Sequence, residues 1–207
     1  MPRRPRLLLL NGALAGNGGN TAALLAAARR RLGRHADVDT LVLAEAFAAR
    51  SPDGSVDHAD LPPAVAAALA RADGFLFGTG THWDSWSSVL QHFLEVTTPL
   101  EGTATWLGKP AAVVVTEHSV GGKAVLSRLQ GVLVTLGCSL PPMSGLVLSR
   151  AALLAAAQDP AAARDFWSRS DLGVVCHNLI TATRGRAQPW KSWPVDRADF
   201  RGRWLEA

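Results

Sequence analysis

Apolar residues come in short runs bounded by breakers, and the runs alternate between two periods. Residues 7–10 are four consecutive leucines ahead of Asn11-Gly12, the pattern of a strand buried on both faces. A loop with four glycines spans residues 11–19. Asn20 or Thr21 then stands where it can cap a helix running through Ala22, Leu25 and Ala28. Residues 38–43 read as a second strand. The polar connection 51–63, rich in Pro, Asp and Ser, leads into a helix at 64–71 with Pro62 and Pro63 near its start. Residues 74–78 form a third strand ending at Thr79. A helix over 84–96 puts Val89, Leu90, Phe93 and Leu94 on one face, and Pro99 closes it. A fourth strand covers 111–116, its loop ends in Gly121-Gly122, and a helix follows over 123–136. A fifth strand falls within 139–148. Ser149 starts one short helix. Asp159-Pro160 starts another, with Asp as N-cap and Pro at the first helical position, running to about Thr183.

Alternating β and α elements without hairpin signals predict an α/β fold, a doubly wound parallel sheet covered on both faces. Five strands fit the flavodoxin-like order 2-1-3-4-5. This domain spans residues 1–184, and a tail rich in Trp and Arg spans 185–207. In such sheets a ligand sits beyond the carboxyl ends of the strands. That rule selects three loops: residues 11–21, 79–84 and 116–122.

A chain of 207 residues is long enough for one domain with a substantial core. Its net charge of +4 changes little. Arg29, Arg30, Arg31 and Arg34 fall near the end of the first helix, where cations suit the helix dipole. No aromatic residues interleave with them, so they read as a solvated face and not as a nucleic-acid surface. Arg3, Arg4 and Arg6 before the leucines imitate a leader, but four apolar residues fall short of the roughly 7–15 of a secretory h-region. No apolar run approaches the roughly 20 residues of a membrane span. Cys138 and Cys176 belong to no CxxC motif, which excludes a cysteine-ligated iron–sulfur cluster within one chain and a disulfide framework. The expected compartment is the cytoplasm.

The first loop ends in Gly19, Asn20 and Thr21 and opens a helix, an arrangement that turns backbone N–H groups toward an anion. The bland alternative is a glycine-rich β–α turn. Asn20 occupies the position where a Walker loop has lysine, so a nucleotide triphosphatase is not expected. The second loop offers Thr79, Gly80, Thr81, His82, Trp83 and Asp84: hydroxyls and a flat aromatic, with Trp86 as another. The third offers Thr116, His118, Ser119 and the flexible backbone of Gly121 and Gly122. A phosphate site, a stacking surface and a glycine-lined wall describe a pocket for flavin mononucleotide (FMN). His82, His92 and His118 follow no zinc spacing, and Ser87 and Ser119 lack a nucleophile elbow.

At "TGTHWDSWSSVLQHFLE", residues 79–95, the chain resembles the NADPH-dependent FMN reductases, flavodoxin-like NAD(P)H:quinone or flavin oxidoreductases. Their usual pattern there is close to T-P-T-Y-W-G-S-x-S-x-x-L-K-N-F-x-D. "GNT" at 19–21, "GKPAAVVVTEHSVGG" and "GCSLPP" are similar to the family's other motifs, and the resemblance covers about residues 6–182. Several positions depart from the pattern. Ala13 and Ala15 stand where the family often has Ser and Arg; Gly80 replaces Pro, His82 Tyr, and Asp84 Gly. Gln91-His92 replaces Lys-Asn.

The resemblance implies FMN as cofactor, NADPH or NADH as co-substrate, and hydride transfer to a quinone, flavin or similar small acceptor. No catalytic side chain and no metal are implied, because the protein's task is to hold and tune the flavin. It also implies a homodimer or homotetramer, and the tail's Trp190, Trp193 and Trp204 would need covering. Two other readings stand beside this one: a binding or assembly module of the same fold that has lost FMN, and an electron carrier reduced by a partner protein.

Overall fold

A computed structural model of the chain describes residues 3–47, 61–159, 161, 164, 166–185 and 188–194. The five strands are β1 (Arg6–Asn11), β2 (Asp37–Val42), β3 (Gly74–Gly80), β4 (Ala111–Glu117) and β5 (Gly145–Ser149). All pair in parallel, in the order β2-β1-β3-β4-β5, which is the flavodoxin-like order expected. The described helices are α1 (Asn20–Leu32), α2 (Leu43–Ala46), α3 (Pro63–Arg71), α4 (Ser88–Val96), α5 (Gly122–Leu136), α6 (Arg150–Gln158) and α7 (Leu172–Thr183).

The leucine run explains the two layers. Leu8 and Leu10 point to one face and join α3, α4 and α5 through Leu69, Phe93 and Leu129. Leu7 and Leu9 point to the other and join α1 and α7 through Leu25, Ala28 and Leu179. Period-two alternation in β3 and β4 does the same: Phe75, Phe77, Val113 and Val115 face the first layer, Leu76, Ala112 and Val114 the second. Trp106 anchors the first layer, its ring 4.8 Å from Phe75 and 6.3 Å from Phe93.

Three expectations need correction. The helix foreseen from residue 84 begins at Ser88, because residues 82–85 close a tight turn instead. His82 N donates to Ser85 O at 2.8 Å and Ser85 N to His82 O at 2.9 Å. Trp83 and Asp84 between them are left-handed, with φ of 48° and 57°. Second, neither Asn20 nor Thr21 caps α1; the N-cap is Gly19 and no side chain bonds there. Third, Asp159 closes α6 and does not start a helix reaching Thr183. Its Oδ1 does accept from Ala161 N at 2.8 Å, but α7 waits until Leu172. Ser168 and Asp171 intervene with a local turn, Ser168 N donating to Asp171 Oδ2 at 2.7 Å. Smaller shifts are that β2 is 37–42, with Leu43 already helical, and that β3 extends to Gly80. Pro160, Trp204 and most of the 51–63 connection lie outside the described residues.

Candidate functional site

The three loops meet at the carboxyl edge of β1, β3 and β4. Asn11 builds the first. It is buried, its Nδ2 donates to Gly16 O at 2.9 Å, and its Oδ1 accepts from Ala13 N at 3.2 Å. The loop thus folds around one amide. Gly12 lets it pass close to α4, since a Cβ there would lie 2.9 Å from Leu90 Cβ and 3.2 Å from Gly78 O.

Ser87 ties this loop to the second. Fully buried, it caps α4 by accepting from Leu90 N at 3.1 Å, and its hydroxyl donates to Gly12 O. Thr79, also fully buried, receives Ser87 N at 3.4 Å and donates to Gly80 O at 3.0 Å. Thr116 ties the third loop to both others. Its Oγ1 lies 2.8 Å from that of the buried Thr21, and its carbonyl accepts from Thr81 Oγ1 at 3.2 Å. Of the residues expected at a site, Thr21, Thr79, Gly80, Thr81 and Thr116 are therefore brought together.

The tip of the second loop leans over the third. Asp84's carboxylate occupies the space a Cβ would need at Gly121, whose φ is 93°. Arg128, on α5, donates to Asp84 O at 2.6 Å and lies 5.4 Å from the Trp86 ring centre. Trp83 projects wholly into solvent; it is not a core residue. His82 is exposed as well.

The remaining expected residues sit further out. His118 and Ser119 are exposed, and their carbonyls bond toward α6: Ala151 N to His118 O at 2.9 Å, Ser149 Oγ to Ser119 O at 3.4 Å. Gly122 is buried, its N–H held by Glu117 Oε2 at 2.5 Å, and a Cβ there would strike Val147. Its missing side chain permits this close packing. His92 lies apart from His82 and His118, with its ring 4.9 Å from Phe47.

Asn11, Gly12, Ser87 and Arg128 organise the site although the sequence had not singled them out for it. Two carried a usable signal. Asn at a strand end before Gly forms an Asx-type turn, and Ser before an apolar helical run is an N-cap. Arg128 had none, since it meets Asp84 across 44 residues.

An FMN phosphate suits the donor set. The first bond of α1 is Ala23 N to Gly19 O at 3.2 Å. The N–H groups of Asn20, Thr21 and Ala22 thus have no partner among the described residues, and the helix dipole adds positive potential there. The loop tip beside them is open, with no atom within 4 Å of a Cβ placed at Gly18. Residues 11–21 carry no cationic side chain, so backbone supplies the donors in the loop.

A flavodoxin-like sheet with an anion-ready first loop and two further loops knitted to it is the architecture of a flavin-binding protein. A family model sharpens this: that of the NADPH-dependent FMN reductases matches residues 5–152, and the chain belongs to that family. The oxidoreductase class, FMN and a nicotinamide reductant are thus those of its family. An NAD(P)H dehydrogenase (quinone) of Chelativorans sp. (strain BNC1) is 38% identical over 79 residues, 37% of this chain and 39% of that protein. The matched stretch spans well under half the length of that relative.

Solved structures share the fold at low identity. An NADH:FMN oxidoreductase in its apo form superposes with a TM-score of 0.65 at 18% identity, over 89% of this chain and 92% of that one. RosB with a bound flavin-derived intermediate gives 0.68 at 14%, over 87% and 79%. A WrbA-like flavodoxin from Agrobacterium tumefaciens gives 0.56 at 15%, over 87% and 96%.

Proposed function

We propose that this chain is an FMN-dependent NAD(P)H oxidoreductase whose electrons pass to a quinone, a flavin or a similar small acceptor. The observation that carries the reading is the uncapped start of α1, three backbone donors beside the junction where Thr116 meets Thr21 and Thr81. Bound FMN would supply hydride acceptance from the nicotinamide and its onward delivery. The chain's own part is positioning. The Asn20, Thr21 and Ala22 N–H groups would hold the phosphate, the 79–84 and 116–121 loops would hold the rest of the cofactor, and the exposed Trp83 would offer it a flat face. The quinone acceptor is supported by the name of the Chelativorans relative, which covers only part of each chain.

Titration of the purified protein with FMN tests this. The expected result is one FMN per chain, with quenched tryptophan emission, bleaching by NADH or NADPH, and recovery with a quinone. No saturable change up to about 50 μM FMN, a free energy near −6 kcal/mol, overturns the reading in favour of a module without flavin. Saturable binding without nicotinamide bleaching identifies an electron carrier instead.

The same reading includes assembly as a homodimer or homotetramer in the cytoplasm. Its support is the apolar rim of the site, where Leu14, Trp83 and Val120 are all exposed. Light scattering that finds a monomer at micromolar concentration removes it. No helix among the described residues is long and apolar enough to cross a membrane.

A further inference from the structure

We infer that a cleft at the amino edge of the sheet binds a phosphate ester carried on a flat ring, a nucleoside monophosphate in class. It lies at the opposite end of the strands from the three loops, and nothing in it depends on FMN.

Topology gathers its charges. β1, β3 and β4 are neighbours in the sheet, so the residues just before them stand side by side. Arg3 and Arg4 precede β1, Asp73 precedes β3 and Lys109 precedes β4. Arg184, just after α7, lines the same cleft, and the exposed His35 adds a fifth nitrogen base. Asp73 is the one acid lining it among the described residues. The cavity is about 840 Å³, within the roughly 300–1,000 Å³ of small-molecule sites.

Two of these cations are matched and two are not. Arg3 Nη2 pairs with Asp73 Oδ1 at 2.7 Å, and Arg6 N takes Asp73 Oδ2 at 2.7 Å. Arg4 Nε lies 3.4 Å from Asp37 Oδ1, and its Nη2 donates to Gly33 O and Ala36 O. Lys109 is half-buried. Its one hydrogen bond among the described residues is a long one, 3.5 Å to Leu69 O. Asp73 attracts it but makes no ion pair with it, and burial pulls its ammonium below its ordinary value. An ammonium has three donors, so most of its capacity is unmet. Arg184 suits the dipole at the end of α7, yet its guanidinium makes no hydrogen bond or ion pair among the described residues.

Two unmatched cations in one cleft call for a dianion. A phosphate monoester supplies it, and its oxygens fit the guanidinium fork. Trp190 supplies the ring contact. It seats on Gly108, whose φ is 75° and where a Cβ would strike the indole. That holds an exposed flat ring beside the backbone of Lys109, in the lining of the same cleft. A nucleobase stacks on such a surface.

The chain has three lysines, Lys109, Lys123 and Lys191, so acetylation by an N-hydroxysuccinimide ester, mapped by mass spectrometry, reads the cleft directly. A bound dianion shields Lys109 and also holds its proton, and both effects slow the reaction. For a Kd of about 1 mM, about 10 mM adenosine 5′-monophosphate should slow acetylation of Lys109 about tenfold in the full-length protein. Inorganic phosphate should protect less, and adenosine not at all. Arg184→Gln and Trp190→Ala should each remove most of the protection. An unchanged Lys109 rate overturns the proposal, and so does protection that survives Arg184→Gln. Equal protection by inorganic phosphate overturns the ring contact at Trp190.

Discussion

The two edges of this sheet are built differently. At the carboxyl edge, three loops are stitched by hydroxyls and backbone: Ser87 to Gly12, Thr21 to Thr116, Thr81 to Thr116. The first turn of α1 is open there, whereas at the start of α5 Glu117 takes the Gly122 N–H. At the amino edge lies a cleft of about 840 Å³, lined by Arg3, Asp73, Lys109, Arg184 and Trp190. Several of its charges already have partners. Arg3 pairs with Asp73 at 2.7 Å, and Arg4 donates to Gly33 O at 2.8 Å and Ala36 O at 3.1 Å. Burial pulls the Lys109 ammonium below its ordinary value. Cavity size therefore does not mark the site. The missing cap alone does not mark it either, since α3, α5 and α7 also start without a side-chain cap; what singles out α1 is that its open N–H groups follow a glycine-rich loop knitted to the other two.

The sharpest way to break the comparison is to damage one edge and read the other. Trp106 belongs to the amino-edge connection, is fully buried, and its Nε1 has no hydrogen-bond partner among the described residues. Trp106→Ala should cost about 3–5 kcal/mol in chemical denaturation. FMN affinity should stay within about twofold at temperatures where the variant is folded. A large loss of affinity would show that the edges are coupled through the Phe75–Phe93 layer.

Alkaline pH should act on the frame next. Burial pushes the Cys138 thiol up to about 12 and the Cys176 thiol up to about 11, from 9.0. The folded state thus keeps protons that the unfolded chain loses above pH 9, so stability falls as pH rises from there toward each folded value. Each titrating thiol contributes a slope of about 1.4 kcal/mol per pH unit. Denaturation midpoints measured from pH 8 to 10.5 should decline, and Cys138→Ala should flatten the slope. An unchanged slope would assign the alkaline loss to other groups. Both thiols should also resist alkylation in the native state at pH 8.

Ser87→Ala attacks the carboxyl edge. The lost cap costs about 1 kcal/mol, and the buried bond to Gly12 O adds about 1 kcal/mol. Because this hydroxyl joins the first loop to the second, FMN affinity should fall severalfold with it. Stability loss with unchanged affinity would show that the first loop holds its shape through Asn11 alone.

The frame was legible in the sequence and the stitching was not. Four leucines, Phe-Leu-Phe and the Val114 neighbourhood declare buried strands because burial on both faces demands continuous apolar residues. Thr21 read as a helix cap because Thr before an apolar run usually is one. Here it is buried against Thr116, a partner 95 residues away, and no local pattern encodes that distance. The late start of α4 was hidden for a related reason. Trp83 announces no left-handed residue, and Asp84, although its type enters that region more readily, does not by itself announce a pair of them closed by His82 and Ser85.

Asp84 carries the smallest and most discriminating prediction. It stands where relatives of this pattern have glycine, at φ 57°, with its carboxylate against Gly121. Left-handed backbone costs an ordinary L-residue roughly 1–2 kcal/mol, and Asp less. Glycine gives part of that back through its own lost entropy, about 0.5–1 kcal/mol. Asp84→Gly should therefore change stability by under about 1 kcal/mol, in the stabilising direction. Removing an acid from the rim should tighten binding of the dianionic FMN severalfold, more at low ionic strength than at high. Asp84→Asn separates charge from backbone, since Asn tolerates the same φ. Tighter FMN in both variants assigns the effect to charge. Tighter FMN in glycine alone assigns it to the turn. Weaker FMN in both would reverse the interpretation: the carboxylate over Gly121 would then be what holds the second loop to the third, making Asp84 part of the stitching.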